Sequence, residues 1–111
     1  MINFCNLDLP TNSENLVFRK IKDIVSKSGF ILGTEVDGFE SEFANYCKVK
    51  RSIGVASGCD ALLFTMEGLG IGNGDEVITV ANTFIGTALP IIRAGAKPVL
   101  VDCDPQSQQI D

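Results

Sequence analysis

From Arg51 onward the chain alternates short apolar runs with segments of helical length: Ile53 to Ala56, Cys59 to Leu69, Glu76 to Val80, Thr83 to Ala94 and Pro98 to Asp102. No other feature narrows the possible folds as sharply. Runs rich in β-branched residues, separated by helix-like segments, are the pattern of βαβ units, and such units imply a parallel sheet with right-handed crossovers. The runs lack polar alternation, which suits a sheet covered on both faces. Glycines stand at the joints: Gly68, Gly70, Gly72 and Gly74 after the first helical segment, and Gly95 after the second. Pro90, inside the second segment, predicts a kink or a displaced helix start there. The expected class is α/β, a mostly parallel sheet with crossover helices. Three strands leave two edges uncovered, so the sheet is incomplete and the chain reads as the N-terminal part of a longer protein or a truncated product. Exposed edges and an uncovered apolar face predict aggregation or dimerisation.

The first fifty residues have a different character. Residues 2–12 are extended or irregular, and Asn12 or Ser13 can cap a helix whose apolar positions Val17, Ile21, Ile24 and Val25 share one face; Gly29 would end it. Thr34 and Asp37, three apart, resemble a capping box for a second helix. Its stripe is Val36, Phe39, Phe43, Tyr46 and Cys47, with Glu40 and Glu42 facing away. The division is thus residues 1–50, an extended segment and two amphipathic helices, and residues 51–111, the βαβαβ start of a larger domain.

Composition excludes several functions. The 111 residues carry nine Lys plus Arg against fourteen Asp plus Glu, a net charge of -5, and no histidine. Phosphate-backbone binding needs a clustered basic face, and the longest basic run is Lys48, Lys50 and Arg51, so nucleic acid is not the expected partner. Cys5, Cys47, Cys59 and Cys103 form no CxxC pair, so no metal site is expected. The start, MINFCNLDLP, has neither the basic nor the apolar region of a signal peptide, and no stretch approaches the roughly 18 to 20 apolar residues of a membrane span. Reduced cysteines in a cytoplasmic protein are the expectation.

The stretch Ile53-Gly-Val-Ala-Ser57-Gly58-Cys59-Asp60-Ala61-Leu62 is the most informative for chemistry. A helix N-terminus after a glycine-containing turn presents free backbone N–H groups and the positive end of the helix dipole, and can hold a phosphate without a basic side chain. Ser57, Gly58, Cys59 and Asp60 would supply the donors. Ser57 is equally readable as a plain N-cap, Gly58 as a tight turn and Asp60 as a capping preference; the stretch matches neither GxGxxG nor GxxxxGK[ST]. Ligands of open parallel sheets bind beyond the carboxyl ends of strands, so Phe84, after the run ending at Val80, would share a rim with Ser57. Its ring either stacks on a flat ligand or packs in the core. Cys59 has no histidine to activate it and reads as an inert thiol. Asp75 and Glu76, and Asp102 and Asp104, read as turn and loop residues. Of the six lysines, all but Lys97 sit on or beside the polar faces of the N-terminal helices, and Lys97 falls in a Gly-Ala-Lys-Pro turn.

The chain resembles the DegT/DnrJ/StrS-type sugar aminotransferases, pyridoxal-phosphate enzymes of the aspartate-aminotransferase fold. The resemblance runs over nearly the whole chain. It is carried by Gly29-Phe-Ile-Leu-Gly33-Thr-Glu-Val36, Phe39-Glu-Ser-Glu-Phe43-Ala, Gly54-Val-Ala-Ser-Gly-Cys-Asp-Ala-Leu62, Leu69-Gly-Ile-Gly-Asn-Gly-Asp-Glu-Val-Ile78, Asn82-Thr-Phe-Ile85 and Gly95-Ala-Lys-Pro-Val-Leu-Val-Asp102, in that order and at those intervals. It implies that residues 51–111 begin the three-layer large domain that binds pyridoxal 5′-phosphate. It implies further that Ser57, Gly58, Cys59 and Asp60 form the cofactor's phosphate-binding turn, where relatives often carry Thr at the place of Cys59, and that Phe84 stacks on the pyridine ring. Phe30, Ile31 and Gly33 resemble a segment near the sugar-binding side and the dimer partner.

The implied activity is transfer of an amino group, with glutamate as expected donor, to a nucleotide-linked keto-deoxysugar, by a homodimer. The family's Schiff-base lysine and the carboxylate that pairs with the pyridine nitrogen lie beyond Asp111. The chain alone is therefore expected to hold no catalytic residue and not to transaminate. Two other readings stand beside this one: a sugar dehydratase of the same family, and a non-enzymatic truncated or regulatory homologue.

Overall fold

The computed structural model describes residues 14–111, so the extended segment 2–12 and the Asn12 or Ser13 cap lie outside the described residues. The chain divides into two compact units, Met1–Ile53 and Gly54–Asp111.

The first unit carries α1 (Glu14–Ser26) and α2 (Thr34–Cys47), joined by an ion pair of 3.2 Å between Lys20 and Glu35. On α1, Val17 and Ile24 are half-buried, whereas Ile21 and Val25, expected on the same face, are exposed. The helix closes one residue earlier than the glycine suggests. Ser28 takes the left-handed conformation (φ 52), its N–H donates to the Val25 carbonyl, and Gly29 N–H donates to that of Ile24. These are the two bonds of a Schellman closure, with serine where glycine is usual. At α2 the expected box is absent: Gly33 is the N-cap, without a side-chain cap, and Thr34 is already helical. The Gly33 carbonyl accepts from Val36 and Asp37 N–H. Lys48 (φ 56) closes this helix in the same left-handed way.

The stripe on α2 is also rotated from expectation. Ala44 is its buried residue, and Val36 and Glu40 are half-buried along the same line. Phe39, Phe43 and Tyr46 are exposed and cover one another instead, with ring centroids 5.6 and 6.2 Å apart. Residues four apart on a helix shelter each other, so an aromatic ladder hides part of its own surface without a partner element.

The second unit runs α3 (Gly58–Gly68), β1 (Glu76–Val80), α4 (Ile85–Arg93), β2 (Lys97–Val101). The strands are parallel, in register from Glu76 opposite Lys97 to Val80 opposite Val101, with α4 as the crossover. The third expected strand is missing: Ile53–Ala56 has strand composition but joins no sheet, and the described sheet has two strands. A strand exists only through a neighbour's ladder, and β1 and β2 pair with each other. Helix α4 is shorter than the run Thr83 to Ala94, because Phe84 is its N-cap. Pro90 sits within it, fully buried, and burial offsets the hydrogen bond it cannot donate to the Gly86 carbonyl. Gly95 (φ 86) supplies the left-handed turn into β2.

The core is small. Met66, Ile91 and Ala96 form it, with Ile71, Val77 and Ala94 packed around them. Val77 and the buried Thr79 therefore lie on the face that the helices cover. The register puts Glu76, Ile78 and Val80 beside Lys97, Val99 and Val101 on the other face, where Ile78 is 60% exposed. The expected cover on both faces is not realised among the described residues: α4 packs on both strands, and α3 packs on α4.

Candidate functional site

Helix α4 connects the two parallel strands and so runs back against their direction, and α3 packs on α4. Met66 and Ile91, each near its helix's C-terminal end, meet in the core. Phe84 opens α4 just beyond the carboxyl end of β1, and Ser57 opens α3.

At the first joint, Ser57 is extended (φ −159, ψ 165) and caps α3. Its Oγ accepts from the Asp60 N–H at 3.1 Å and its hydroxyl donates to Asp60 Oδ2 at 2.8 Å. This is a reciprocal cap made by the serine and the helix's third residue. Gly58 and Cys59 N–H are the helix's other early donors, and the intrahelical ladder provides them no acceptor. A Cβ placed on Gly58 would meet no atom within 4 Å, so the space beside the first turn is open. Cys59 is a half-buried free thiol. The Asp60 side chain is a quarter exposed, and its Oδ1 faces Arg93 Nη1 at 3.9 Å.

At the second joint Phe84 is 78% exposed and so is not a core residue. Its ring lies over Gly86: a Cβ there would stand 2.8 Å from two ring carbons. The Phe84 carbonyl accepts from Thr87 N–H, and the Thr83 and Thr87 hydroxyls are 2.9 Å apart. The segment after β2 approaches the same region, with Asn82 Nδ2 donating to Gln108 Oε1 at 3.4 Å. That segment is a tight loop: Asp104 Oδ1 accepts the Gln106 and Ser107 N–H groups, and Cys103 bridges Ile110. These backbone bonds hold the Asp104 carboxyl below the usual carboxylate range.

Phe30 and Ile31 belong to the first unit and are exposed, and Gly33 is the cap of α2. Lys97 opens β2 at the amino end of the strands, away from Phe84, with Nζ 2.7 Å from Glu76, which raises its pKa through that hydrogen bond and charge. Asp75 is a turn residue, accepting the Gly72 N–H. Sequence reading missed Arg93, 33 positions from Asp60, and the Asn82 to Gln108 link. The Asp-Pro-x-Ser run at 104–107 is a turn signal that could have announced the second.

A family model described as the DegT/DnrJ/EryC1/StrS aminotransferase family matches residues 12–111. This chain belongs to that family. It is 43% identical over 113 aligned residues to a pleiotropic regulatory protein of Geobacillus stearothermophilus, covering 99% of this chain and 30% of the relative. It is 48% identical over 88 residues to a dTDP-3-amino-3,6-dideoxy-alpha-D-galactopyranose transaminase of Aneurinibacillus thermoaerophilus, covering 79% of this chain and 24% of that one. Among solved structures, a family aminotransferase from Brucella abortus superposes with a TM-score of 0.85 at 37% identity, over 90% of this chain and 27% of its own. The PLP form of a sugar aminotransferase from Streptococcus pneumoniae, described as putative, gives 0.86 at 27% identity, over 99% and 27%. The chain thus spans between about a quarter and a third of the length of these relatives, and its mixed α/β fold, four helices and two parallel strands among the described residues, matches their N-terminal region.

The donor set fits the phosphate end of pyridoxal phosphate. Two backbone N–H groups at a helix N-terminus, a hydroxyl cap and an open approach suit an anion, and an exposed ring such as Phe84 suits a flat heterocycle.

Proposed function

We propose that this chain supplies the amino-terminal share of the cofactor site of a nucleotide-sugar aminotransferase. The observation that carries the reading is the Ser57-capped start of α3 with open space beside its first turn, and the exposed Phe84 ring at the start of α4 is consistent with it. Gly58 and Cys59 would donate backbone N–H groups to the phosphate, Ser57 and Asp60 would hold the turn, and Phe84 would cover one face of the ring. When bound, pyridoxal phosphate supplies the electron sink that lets an amino group move between carbon skeletons. The lysine and ring-nitrogen carboxylate that such chemistry requires are not offered by this unit, whose one lysine, Lys97, is held at the amino end of the strands. A nucleotide-linked keto sugar is the substrate class that the transaminase from A. thermoaerophilus supports, with glutamate as donor. The exposed Phe39, Phe43 and Tyr46 ladder favours a homodimer.

The test is a chimera in which residues 12–111 replace the matching region of the A. thermoaerophilus transaminase. Retained cofactor absorbance and amino transfer are expected, with Phe84→Ala weakening both. A folded chimera that takes up no cofactor would overturn the reading. For the chain alone, borohydride after pyridoxal phosphate should trap no stoichiometric adduct; one at a single lysine would show that the chain carries its own cofactor lysine. A second reading, a non-enzymatic regulatory partner, is favoured by the described role of the G. stearothermophilus relative.

A further inference from the structure

We propose that Arg93 is a positioning residue for the phosphate seat, its guanidinium balancing the Asp60 carboxylate so that a phosphate dianion can approach the first turn of α3. The proposal rests on the reading of that turn as the seat. A helix N-terminus attracts any anion, and an acidic residue in the first turn competes with a phosphate for the same field. Asp60 is such a competitor, and the structure deals with both of its oxygens. Oδ2 accepts the Ser57 hydroxyl at 2.8 Å, and Oδ1 faces Arg93 Nη1 at 3.9 Å. The Gly58 and Cys59 N–H groups are then left for the phosphate.

Charge makes the arginine matter. Residues 54–111 hold seven acidic and two basic residues, and the other base, Lys97, is paired with Glu76 at the amino end of the strands. Arg93, the last residue of α4, is thus the cation whose side chain reaches the start of α3. A last-turn arginine also suits the dipole of its own helix, but that role would not direct the guanidinium across to α3.

The test uses the ¹⁵N-labelled chain 1–111 at low salt, following the Gly58 and Cys59 amides during titration with pyridoxamine 5′-phosphate, whose amine cannot condense with lysines. Inorganic phosphate and pyridoxamine serve as companion probes. Both phosphate-bearing probes should shift these amides saturably, and pyridoxamine should not. Arg93→Gln should weaken the phosphate-bearing probes roughly threefold to fivefold, the range of an exposed charge pair. Arg93→Lys should retain most of the affinity. The double variant Arg93→Gln with Asp60→Asn should return to wild-type affinity, and Asp60→Asn alone should bind more tightly than wild type.

Equal titration of Arg93→Gln and wild type would overturn the proposal. A double variant as weak as Arg93→Gln would also overturn it, since the arginine would then touch the phosphate directly. A wild-type chain whose Gly58 and Cys59 amides ignore phosphate would remove the seat itself, and the proposal with it. Circular dichroism of each variant separates these outcomes from loss of folding, and the Asp60→Asn arm tests the charge argument without disturbing Arg93.

Discussion

Replacing Gly86 by alanine tests whether the Phe84 ring rests where the structure has it. Gly86 is the second residue of α4, and in a helix Ala is favoured over Gly by up to about 1 kcal/mol. Against that gain stands the ring: the new Cβ would lie 2.8 Å from two of its carbons, so the side chain must leave. Because Phe84 is 78% exposed, it can rotate into solvent, and the cost is that of a changed rotamer and lost contact, about 0.5–1.5 kcal/mol. The two effects nearly cancel. Gly86→Ala should therefore move the urea midpoint very little, whereas in a Phe84→Ala background the same change should stabilise by close to the full propensity gain. The double-mutant cycle should show a coupling of about 0.5–1.5 kcal/mol between these neighbours. Ring-current shifts at the residue 86 and Thr87 backbone protons, present in wild type and lost in Gly86→Ala, give an independent reading. A Gly86→Ala variant stabilised equally in both backgrounds, with those shifts unchanged, would refute the placement of the ring.

The cap at Ser57 should respond as caps do: Ser57→Ala should lower stability by about 1 kcal/mol and Ser57→Gly by only a few tenths, read from urea midpoints, since alanine removes the acceptor while glycine tolerates the extended cap. Acid should loosen the loop after β2. The Asp104 carboxyl has its folded pKa below its ordinary 3.8, so its contribution is present above that value and lost as pH falls through the folded one. The Gln106 and Ser107 amides should lose protection there, and Asp104→Asn should abolish the pH dependence. On the bare sheet face, Ile78→Thr should reduce self-association measured by sedimentation while changing stability by less than about 0.5 kcal/mol, because Ile78 is 60% exposed.

What the sequence reveals here follows the range of the interaction involved. Helix α3, its serine cap, and the run Glu76 to Val80 depend on residues within a few positions of one another, and all were legible. Ile53–Ala56 has the same β-branched composition as β1, yet composition cannot supply a partner, and pairing is what separates the two. Ser28 turns left-handed where Gly29 is the expected end of α1, because a helix end is decided by which carbonyls the following N–H groups reach, and Gly33 rather than Thr34 caps α2. The aromatic stripe of α2 is periodic as expected, but periodicity gives a face and not its cover, and the half-buried line runs through Ala44 and Glu40. The Phe84 ambiguity, stack or core, is resolved toward exposure only by the packing of α4.

The candidate site divides along the same line. Its proposed phosphate-binding part is built from backbone: a helix start, a serine that caps it and a glycine that leaves room, all within Ser57 to Asp60. Such a part needs little beyond α3 and the surface α3 packs on, so it can be complete in a chain whose sheet has two strands. Its ring-binding part needs one residue more, Gly86, to let Phe84 lie on the helix. Proton transfer and imine chemistry are different in kind, since they require a lysine and a carboxylate aimed from elsewhere at a cofactor already seated. The ion pair of Arg93 with Asp60 would, on the proposal above, serve the seating step by charge balance and offer no base for the chemical one. Cofactor affinity and amino transfer should accordingly separate in the chimera: changes at Ser57, Asp60 and Arg93 should act on cofactor dissociation, with turnover at saturating cofactor largely preserved.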